Sequence, residues 1–550
     1  MAAATRRHPH TAWDCPQAWR NCDGAPLALP AIPSMPDGGG HAHVGAREPM
    51  RDGVVHALVR DHFSAFAEQM QVGGRSLPRY VVAEFEAFLR CGVLACGFMR
   101  ARCPGCGHDR LVAFSCKHRG VCSSCGGRRM SDTAARQCDR VLPVVPYRQW
   151  VLSLPWELRM PVARDTTLLN AVSRVFFEEV REWLRGAAGG IPGAVSEAAA
   201  VTYVQRFGGS LNLNPHLHML VADGVFGCRE DGSAPEFVAT AAPTRDDLRA
   251  VIARVIERLQ VIERRRVQRA ASESCEVSDD GMEGLRRAAG GRGTFARVDD
   301  EGAHDDAAEE RALAPLRMRS HGLVAEVDGF NLHAGVCVAG DDRAALERLC
   351  RYMARPAVAS GRVTRLPDGN VAYRVKSPRS AGATHRVMTP MEFIARLSAL
   401  IPPPRSPLVR HHGVLAPNSP WRVAVVPLPP VEEWSPCVVQ PPAPPATSSD
   451  GVNTRRPQVE VKGDRAGRTP TPSSRIEWAR LLWRVWGVDA LKCPACGGRM
   501  KMIAALTERA GIVRILGHLG VSTAGATDAP LARRSLMSWD GELGSSGVVL

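Results

Sequence analysis

The sequence predicts an α+β protein with an N-terminal zinc-ribbon domain and a larger domain in which helices flank an antiparallel sheet. Two C-x-x-C pairs lie close together before residue 140. Apolar strand patterns alternate with helical patterns from Val141 to about Arg264, and strand patterns resume near Gly322. One of these strands carries two histidines, which side-chain alternation places on the same face.

The composition limits the class of partner and the compartment. With 70 Lys and Arg against 56 Asp and Glu, the net charge is +14, which favours a polyanion such as nucleic acid, although solubility alone can also explain a basic surface. Seventeen cysteines are too few for a disulfide scaffold in 550 residues, and C-x-x-C pairs indicate zinc and a reducing compartment. Without a long apolar run or a signal peptide, we expect a soluble, cytoplasmic bacterial protein that does not enter a membrane.

Composition and periodicity divide the chain into segments. The prediction is a disordered tail over 1–50, a helical and zinc-binding domain over 51–140, a larger domain over 141–418 with a solvent-exposed polar insert over 265–313, a Pro-rich linker over 419–472, a small C-x-x-C module over 473–522, and a disordered tail over 523–550.

Three helical patterns stand out. The first runs from Asp52 to Leu89 and the second from Asp165 to Leu184. Asp342 is predicted to cap a third helix, which runs to Arg355 and stops at Pro356.

The cysteines of the N-terminal region predict structural zinc. Cys103 and Cys106 form one C-x-x-C pair, Cys122 and Cys125 form another, and fifteen residues separate the pairs. Each pair lets two thiolates reach one ion from a tight turn, so the four predict one tetrahedral site.

The other cysteines are harder to assign. Three of them could form part of a second site, but buried thiols are the preferred interpretation: Cys91, Cys96 and Cys116. The pair Cys493 and Cys496 supplies only half of a zinc site, with His518 as the one close further ligand.

Basic residues surround the cysteine pairs. Arg119, Arg128 and Arg129 are predicted to contact DNA phosphates. The alternative is a purely structural module with solvated arginines.

The segment from Leu213 to Met219 has the pattern of a strand with His216 and His218 on one face, and with Leu217 and Met219 directed into a core. Two imidazoles on one face can hold a divalent metal, as a metal-assisted nuclease of single-stranded DNA requires. Two partly exposed histidines without a ligand are the alternative.

The third helix adds a tyrosine. Its buried stripe follows the spacing i, i+3, i+4 and i+7 and consists of Leu346, Leu349, Cys350 and Met353. Tyr352 lies about 110° from the centre of that stripe and therefore at the core edge. Arg348 and Arg355 lie on its exposed side and could hold phosphates. An ordinary core-edge tyrosine is the alternative.

Several segments resemble rolling-circle transposases of the insertion sequence 91 type. Residues 116–130 are similar to the zinc-binding domain of that family, and residues 141–155 to the start of its catalytic domain. Residues 205–218 resemble its HUH segment, 346–356 its tyrosine segment and 411–418 its closing motif.

The resemblance implies an HUH endonuclease that transfers single DNA strands through a 5′-phosphotyrosine. It implies that Tyr352 attacks and that His216 and His218 hold the metal. Arg348 occupies the position, one turn earlier, where some relatives have a second tyrosine, so the chain resembles the single-tyrosine subgroup. Cys96 stands where relatives have histidine, which leaves a second zinc site open.

The chemistry of a phosphate-bound metal indicates the ion and its ligands. Neutral imidazoles suit Mn²⁺ and tolerate Mg²⁺ when oxygens complete the coordination shell. Gln205, on the preceding strand, is the favoured third ligand, and His333 is its rival.

These interpretations predict a bacterial transposase that acts on the single-stranded ends of its element and on target DNA. A catalytically inactive, zinc-dependent DNA-binding protein is the alternative from another class. A plasmid replication-initiator nuclease would share the same chemistry.

Overall fold

The computed structural model describes residues 53–189, 194–229, 234–272, 282–290, 294–298, 322–375, 382–427, 483 and 489–521. Both predicted tails, and much of the predicted linker and polar insert, lie outside these residues. The described part consists of helices and antiparallel sheets, which confirms the predicted α+β class.

Eleven α-helices are named within the described residues. They are α1 (Val54–Val72), α2 (Arg79–Arg90), α3 (Ser123–Arg140), α4 (Trp156–Arg164), α5 (Thr166–Ala187), α6 (Arg245–Ser272), α7 (Met282–Gly290), α8 (Arg343–Ala354), α9 (Pro390–Leu400), α10 (Arg422–Val425) and α11 (Arg509–His518).

The strands of the described residues form four sheets. They are β1 (Phe98–Arg102), β2 (Asp109–Ala113), β3 (Tyr147–Ser153), β4 (Ala194–Glu197), β5 (Ala199–Phe207), β6 (Leu213–Ala222), β7 (Gly224–Arg229), β8 (Glu236–Ala239), β9 (Thr294–Ala296), β10 (Val324–Val327), β11 (Phe330–Val338), β12 (Val363–Arg365), β13 (Val371–Arg374), β14 (His385–Met388), β15 (Val409–Gly413) and β16 (Lys501–Leu506). The sheet orders are β10-β11-β3-β6-β5-β15, β12-β13-β14-β9, β16-β1-β2 and β4-β7-β8.

The six-stranded sheet carries the histidine strand at its centre. Strand β6 lies between β3 and β5, and all pairings in this sheet are antiparallel. On one face, Leu217 and Met219 are buried with Trp150 in a core that α5 and α6 complete. The predicted alternation along β6 is therefore confirmed.

The opposite face of this sheet packs against α8. Tyr203 and Leu220 of the sheet share a core with the four residues of the predicted helical stripe, all of which are buried: Leu346, Leu349, Cys350 and Met353. Helix α3 packs beside α8. The same sheet face carries His216 and His218 further along β6, because residues two apart on a strand share a face.

The first predicted helix is two helices. The pattern from Asp52 to Leu89 breaks between α1 and α2, where Gly74 has a φ of +71° and Pro78 precedes α2. A left-handed glycine and a proline both interrupt helical hydrogen bonding, so the chain turns back. The turn lets Phe63 stack on Phe85 with ring centroids 4.5 Å apart.

The polar insert is not wholly exposed, contrary to the prediction. Its described part includes α7 and β9, and Met282 and Ala289 of α7 are fully buried against α9. Strand β9 pairs with β14. The apolar positions of α7 recur at helical spacing, but the many charged residues around them mask this pattern.

The C-terminal cysteine module does not stand apart from the N-terminal domain. Its strand β16 pairs with β1, with Phe98 opposite Leu506, and extends the β1–β2 hairpin to three strands. Ile512 and Leu516 of α11 complete a small core with Phe98. Residues almost 400 positions apart in the chain therefore share one sheet and one core.

Candidate active site and cysteine clusters

The two histidines of β6 lie side by side. Their ring centroids are 4.8 Å apart. His216 Nδ1 donates to the carbonyl oxygen of Asn214 at 2.8 Å, since a carbonyl can only accept. That hydrogen bond fixes the proton on Nδ1, so Nε2 carries the free lone pair of the neutral ring.

A residue that the sequence did not indicate orients the second histidine. Gln149 on β3 places its side-chain amide 3.0 Å from Nδ1 of His218. Both residues are buried. An amide beside the non-ligating nitrogen of an imidazole holds the ring in one orientation. The spacing of glutamines along the chain gave no indication of this contact, because it arises from the pairing of β3 with β6.

Gln205 lies beside this pair. In the β5–β6 register it is directly opposite His216, so the two side chains emerge on the same face. Its Nε2 donates to the carbonyls of Tyr352 and Met353 at 3.1 and 2.9 Å. These bonds fix the amide orientation, and its Oε1 is buried without a hydrogen-bond partner.

His333 is one strand further away. It lies on β11 opposite Val151 of β3, and Val151 in turn lies opposite His218 on β6. The two histidines share a sheet face but are separated by the whole of strand β3. The register therefore favours Gln205 over His333 as a neighbour of His216 and His218.

Tyr352 extends from the last turn of α8 toward the same place. Its ring meets that of His218 edge-on, with centroids 5.9 Å apart. The guanidinium of Arg355 lies over the tyrosine ring at 4.7 Å. Tyr352 is half-buried, as expected at the edge of the core.

The other tyrosines near the sheets are enclosed. Tyr203 and Tyr373 are fully buried, and burial raises the pKa of Tyr203 well above its ordinary value. An enclosed phenol cannot meet a DNA phosphate without unfolding its surroundings. The structure thus brings together Tyr352, His216, His218 and Gln205.

The prediction of one zinc site formed by Cys103, Cys106, Cys122 and Cys125 is wrong, because these cysteines belong to two different clusters. Cys122 and Cys125 meet Cys91 and Cys116, and the four sulfur atoms lie within 4.8 Å of one another. The Sγ atoms of Cys91 and Cys125 are 3.7 Å apart, and those of Cys91 and Cys122 are 3.6 Å apart. Cys91 and Cys116 are thus cluster members, not the isolated buried thiols that the sequence favoured.

Cys103 and Cys106 face Cys493 and Cys496 instead. They occupy the turn between β1 and β2, whereas Cys122 caps α3 and Cys125 lies in its first turn. The backbone N–H of Cys106 bonds to the thiol of Cys103 and lowers its pKa to about 7. His518 on α11 is not a member of this cluster. Cys96 is buried and belongs to neither cluster.

Two of the five predicted DNA-contacting arginines lie near the Cys91 cluster. A cleft of about 400 Å³ opens there, and its lining includes Lys117, His118, Arg119 and Arg129. Arg129 is exposed and donates to the Lys117 carbonyl at 2.6 Å, and the half-buried Arg119 donates to the Ser406 carbonyl at 2.8 Å. Arg119 thus has a structural contact.

The remaining predicted arginines are partly accessible. Arg128 on α3 and Arg348 on α8 are half-buried. Arg355 follows α8 and contacts the rings of Tyr352 and Phe207. Of the five, Arg355 therefore lies nearest the tyrosine.

The cleft also contains a buried acid. Burial alone would raise the pKa of Glu84, but hydrogen bonds from His118 and the Gly120 N–H hold that pKa below its ordinary value. The carboxylate joins α2 to the segment before α3.

The paired histidines of the closing segment lie on β15 beside β5. Burial, with Arg422 and Arg136, lowers the pKa of His411 to about 4. Burial, with Arg410 and His411, lowers the pKa of His412 to about 4. His412 Nε2 lies 3.0 Å from the hydroxyl of Thr202, and its ring stacks on Phe177. These histidines act as neutral packing groups.

Two family models match the chain. The model described as "Transposase zinc-binding domain", of the insertion sequence 91 type, matches residues 58–154, and the model described as "Putative transposase" matches residues 199–421. The first match contains the Cys91 cluster and the second contains the histidine strand and Tyr352. Over these two segments the chain is similar to transposases, and over the first to those of the insertion sequence 91 type.

A relative supports this family assignment. The "Putative transposase y4qJ" of Sinorhizobium fredii (strain NBRC 101917 / NGR234) is 25% identical over 362 residues, which cover 65% of this chain and 80% of the relative. No solved structure matches the chain. As a transposase the protein binds DNA, and the zinc-binding domain together with the cysteine clusters supports structural zinc. Among the described residues of this transposase, every helix is too short or too polar to cross a membrane.

Proposed function

We propose that this transposase nicks and rejoins single-stranded DNA through a 5′-phosphotyrosine at Tyr352, during rolling-circle transposition of its element. The observation that carries the proposal is the convergence of Tyr352 on the histidine pair, with the rings of His218 and Tyr352 5.9 Å apart. Side chains from β5, β6 and α8 meet there, although α8 lies far from the two strands in sequence.

His216, His218 and Gln205 are proposed to hold a catalytic Mg²⁺ or Mn²⁺ ion. The donor set fits, because two imidazoles and one amide oxygen suit Mn²⁺ and leave positions for phosphate and water oxygens. The buried Oε1 of Gln205 has no hydrogen-bond partner. Coordination of a metal ion by this oxygen would offset the cost of burying it unpaired. An ion held there would polarise the scissile phosphate and neutralise developing charge.

The protein's own groups position the reacting atoms. The Tyr352 hydroxyl forms a bond to phosphorus as the bond from phosphorus to the 3′ oxygen breaks. The phenol loses its proton to solvent, and the departing 3′ oxygen gains one. The cation of Arg355 over the tyrosine ring favours the accumulation of negative charge at this point. Attack by a 3′-hydroxyl reverses the step, so rejoining needs no ATP.

The zinc-binding region is proposed to orient the DNA. Cys91, Cys116, Cys122 and Cys125 have the number, ligand type and mutual proximity of a closed structural zinc site. This cluster anchors the start of α3, which carries the half-buried Arg128 and the exposed Arg129, and Arg129 lines the cleft. Exposed cations there suit phosphate contacts.

The decisive experiment incubates the protein with labelled single-stranded element ends and Mn²⁺ or Mg²⁺, followed by a denaturing gel. Wild type should give a covalent protein–DNA band, and Tyr352→Phe should give none, because only the attacking hydroxyl is lost. The DNA affinity of the variant should remain within about twofold of that of wild type, because phenylalanine keeps the aromatic ring and its packing.

Tyr80→Phe is the matched control, because Tyr80 is the other half-buried tyrosine of the chain and lines the cleft beside Lys117 and Arg129. It should form the adduct normally. An adduct with Tyr352→Phe would refute the assignment of the nucleophile. Binding by wild type without any cleavage would instead favour a zinc-dependent DNA-binding protein.

A further inference from the structure

We propose that Cys103, Cys106, Cys493 and Cys496 bind a second zinc ion, which fastens the C-terminal segment 489–521 to the β1–β2 hairpin. Cys493 and Cys496 lie outside the residues that either family model matches. The proposal is independent of the strand-transfer chemistry at Tyr352.

The sulfur atoms have the spacing of a tetrahedral thiolate site. All four lie within 4.8 Å of one another, with Cys103 Sγ 3.5 Å from Cys496 Sγ and Cys106 Sγ 3.6 Å from Cys493 Sγ. Zinc–sulfur bonds of about 2.3 Å in a tetrahedron place sulfurs about 3.8 Å apart. Disulfide bonding requires about 2.05 Å, and all four cysteines are free.

The two halves of the cluster are built alike. Both have the sequence C-P-x-C-G. The N–H of Cys103 donates to the carbonyl five residues later, and the N–H of Gly107 returns to the Cys103 carbonyl at 2.9 Å. Cys493 and Gly497 repeat both bonds at 2.7 and 2.9 Å.

The following glycines share the same backbone conformation. Gly107 and Gly497 have φ values of +75° and +72°, which favour glycine. A side chain at Gly498 would meet Cys496 Sγ at 3.3 Å and Cys103 Sγ at 3.6 Å, so glycine leaves room around the sulfurs. Two equivalent turns that present two sulfurs each to one point are the arrangement of a four-cysteine zinc site.

The surrounding contacts bring the halves together but bury little apolar surface. Beyond the β1–β16 pairing, the core at α11 contains, among the described residues, five buried ones: Leu94, Phe98, Leu111, Ile512 and Leu516. Arg110 also donates to the carbonyl of Ala490 at 3.1 Å. A structural zinc ion contributes free energy directly to the fold that presents its ligands, so it would compensate for this small core.

Exposure distinguishes this site from the Cys91 cluster. Cys106 and Cys496 are exposed, whereas Cys91, Cys122 and Cys125 are buried. Chelators and oxidants reach exposed thiolates first, so the second ion should be the first to leave. Metal loss would release the C-terminal segment while the Cys91 site stays intact.

The test is the metal content of the full-length protein, measured by plasma mass spectrometry after removal of loosely bound ions. Wild type should contain two zinc ions. The double variants Cys103→Ser/Cys106→Ser and Cys493→Ser/Cys496→Ser should each contain one, and the combination of all four changes should still contain one. Cys228→Ser/Cys337→Ser, outside both clusters, should keep two.

The variants with one ion should retain most of the circular dichroism of wild type, because the elements outside the segment 489–521 stay folded. The proposal of one shared site would be overturned if Cys493→Ser/Cys496→Ser still contained two zinc ions. It would also be overturned if the variant with all four changes contained less zinc than either double variant. Iron in place of zinc would overturn the identity of the ion.

A second measurement does not depend on serine variants. Cobalt-substituted wild type should show the charge-transfer and ligand-field bands of two four-thiolate sites. Cys496→His should retain both ions and shift the bands of one site, because histidine can replace a thiolate. Unchanged bands would contradict ligation by Cys496. Tyr352→Phe should keep both zinc ions. The zinc proposal and the proposal that Tyr352 attacks DNA can therefore be refuted separately.

Discussion

At the scale of single residues, the orientation of one amide determines the donor set of the proposed catalytic metal. Gln205 uses its Nε2 on two carbonyls at the end of α8, so only its Oε1 is available on the side of the histidines. The same bonds tie the proposed metal ligand to the backbone of Tyr352. Ligand and nucleophile are therefore positioned by one contact.

Substitution of Gln205 tests this arrangement. Gln205→Ala should lower the cleavage rate and raise the Mn²⁺ concentration needed for half-maximal cleavage by about 10- to 100-fold, the range typical for lost metal-site contacts. His333→Ala is the control and should leave the metal dependence within about threefold. The measurement is a metal titration of adduct formation. A larger rise in the required Mn²⁺ concentration for His333→Ala than for Gln205→Ala would identify His333 as the third ligand.

At the scale of elements, the buried stripe and the cap of helix α8 position Tyr352, the proposed nucleophile. Its stripe of four residues fixes the rotation of the helix about its axis, and its cap fixes where the helix begins. The Asp342 side chain accepts a hydrogen bond from the Ala345 N–H at 2.8 Å, as predicted. Together they determine where Tyr352 emerges.

Removal of the cap should destabilise the protein without removing its chemistry. Asp342→Ala is expected to lower the free energy of unfolding by about 1 kcal/mol, because one N–H at the helix start loses its acceptor. Asp341→Ala is the matched control, since Asp341 is exposed and its side chain does not cap the helix. Denaturant unfolding measures both variants. Equal stability of the two would contradict the capping role.

Edge strand β15 makes stability depend on pH. The pKa values of His411 and His412 are about 4 in the folded chain and about 6.5 when unfolded, so the unfolded chain binds more protons between these values. The contribution of the two neutral histidines to the free energy of unfolding is complete above pH 6.5 and is lost as the pH falls toward 4. The stabilisation lost by pH 4 should be about 3 kcal/mol per histidine.

His412→Gln removes one of these titrations and keeps a side chain that can bond to Thr202. Urea unfolding between pH 7 and 4.5 should show a shallower decline for this variant than for wild type. A parallel decline of the two proteins would show that His412 does not cause the pH dependence.

At the scale of the whole molecule, the basic residues behind the net charge of +14 have different roles. Some arginines are used within the fold: Arg119 holds the Ser406 carbonyl, and Arg148 binds Asp223 at 2.8 Å. Others, such as Arg129, lie exposed beside the cleft. The charge total alone cannot separate these groups.

Salt dependence separates them in solution. Affinity for single-stranded DNA should fall steeply with rising salt, because phosphate contacts release counterions. Arg129→Ala should reduce the slope of log affinity against log salt by about 1. Arg119→Ala should instead lower the melting temperature, because two carbonyls lose their donor. An unchanged slope for Arg129→Ala would exclude that residue from the phosphate contacts.

The sequence by itself predicted the features that depend on local periodicity and spacing. The α+β class, the inward direction of Leu217 and Met219, and the cap at Asp342 are confirmed. Each follows from side-chain alternation in strands or from helix geometry, which operate over a few residues. The predicted turn at each C-x-x-C pair is local for the same reason.

Tertiary structure alone decided which distant residues meet. The partners of Cys103 and Cys106 lie almost 400 residues away, and the pairing of β1 with β16 brings them together. The approach of Gln149 to His218 likewise depends on which strands become neighbours. Strand pairing and core packing are long-range choices set by the burial of whole faces, so spacing along the chain could not determine them.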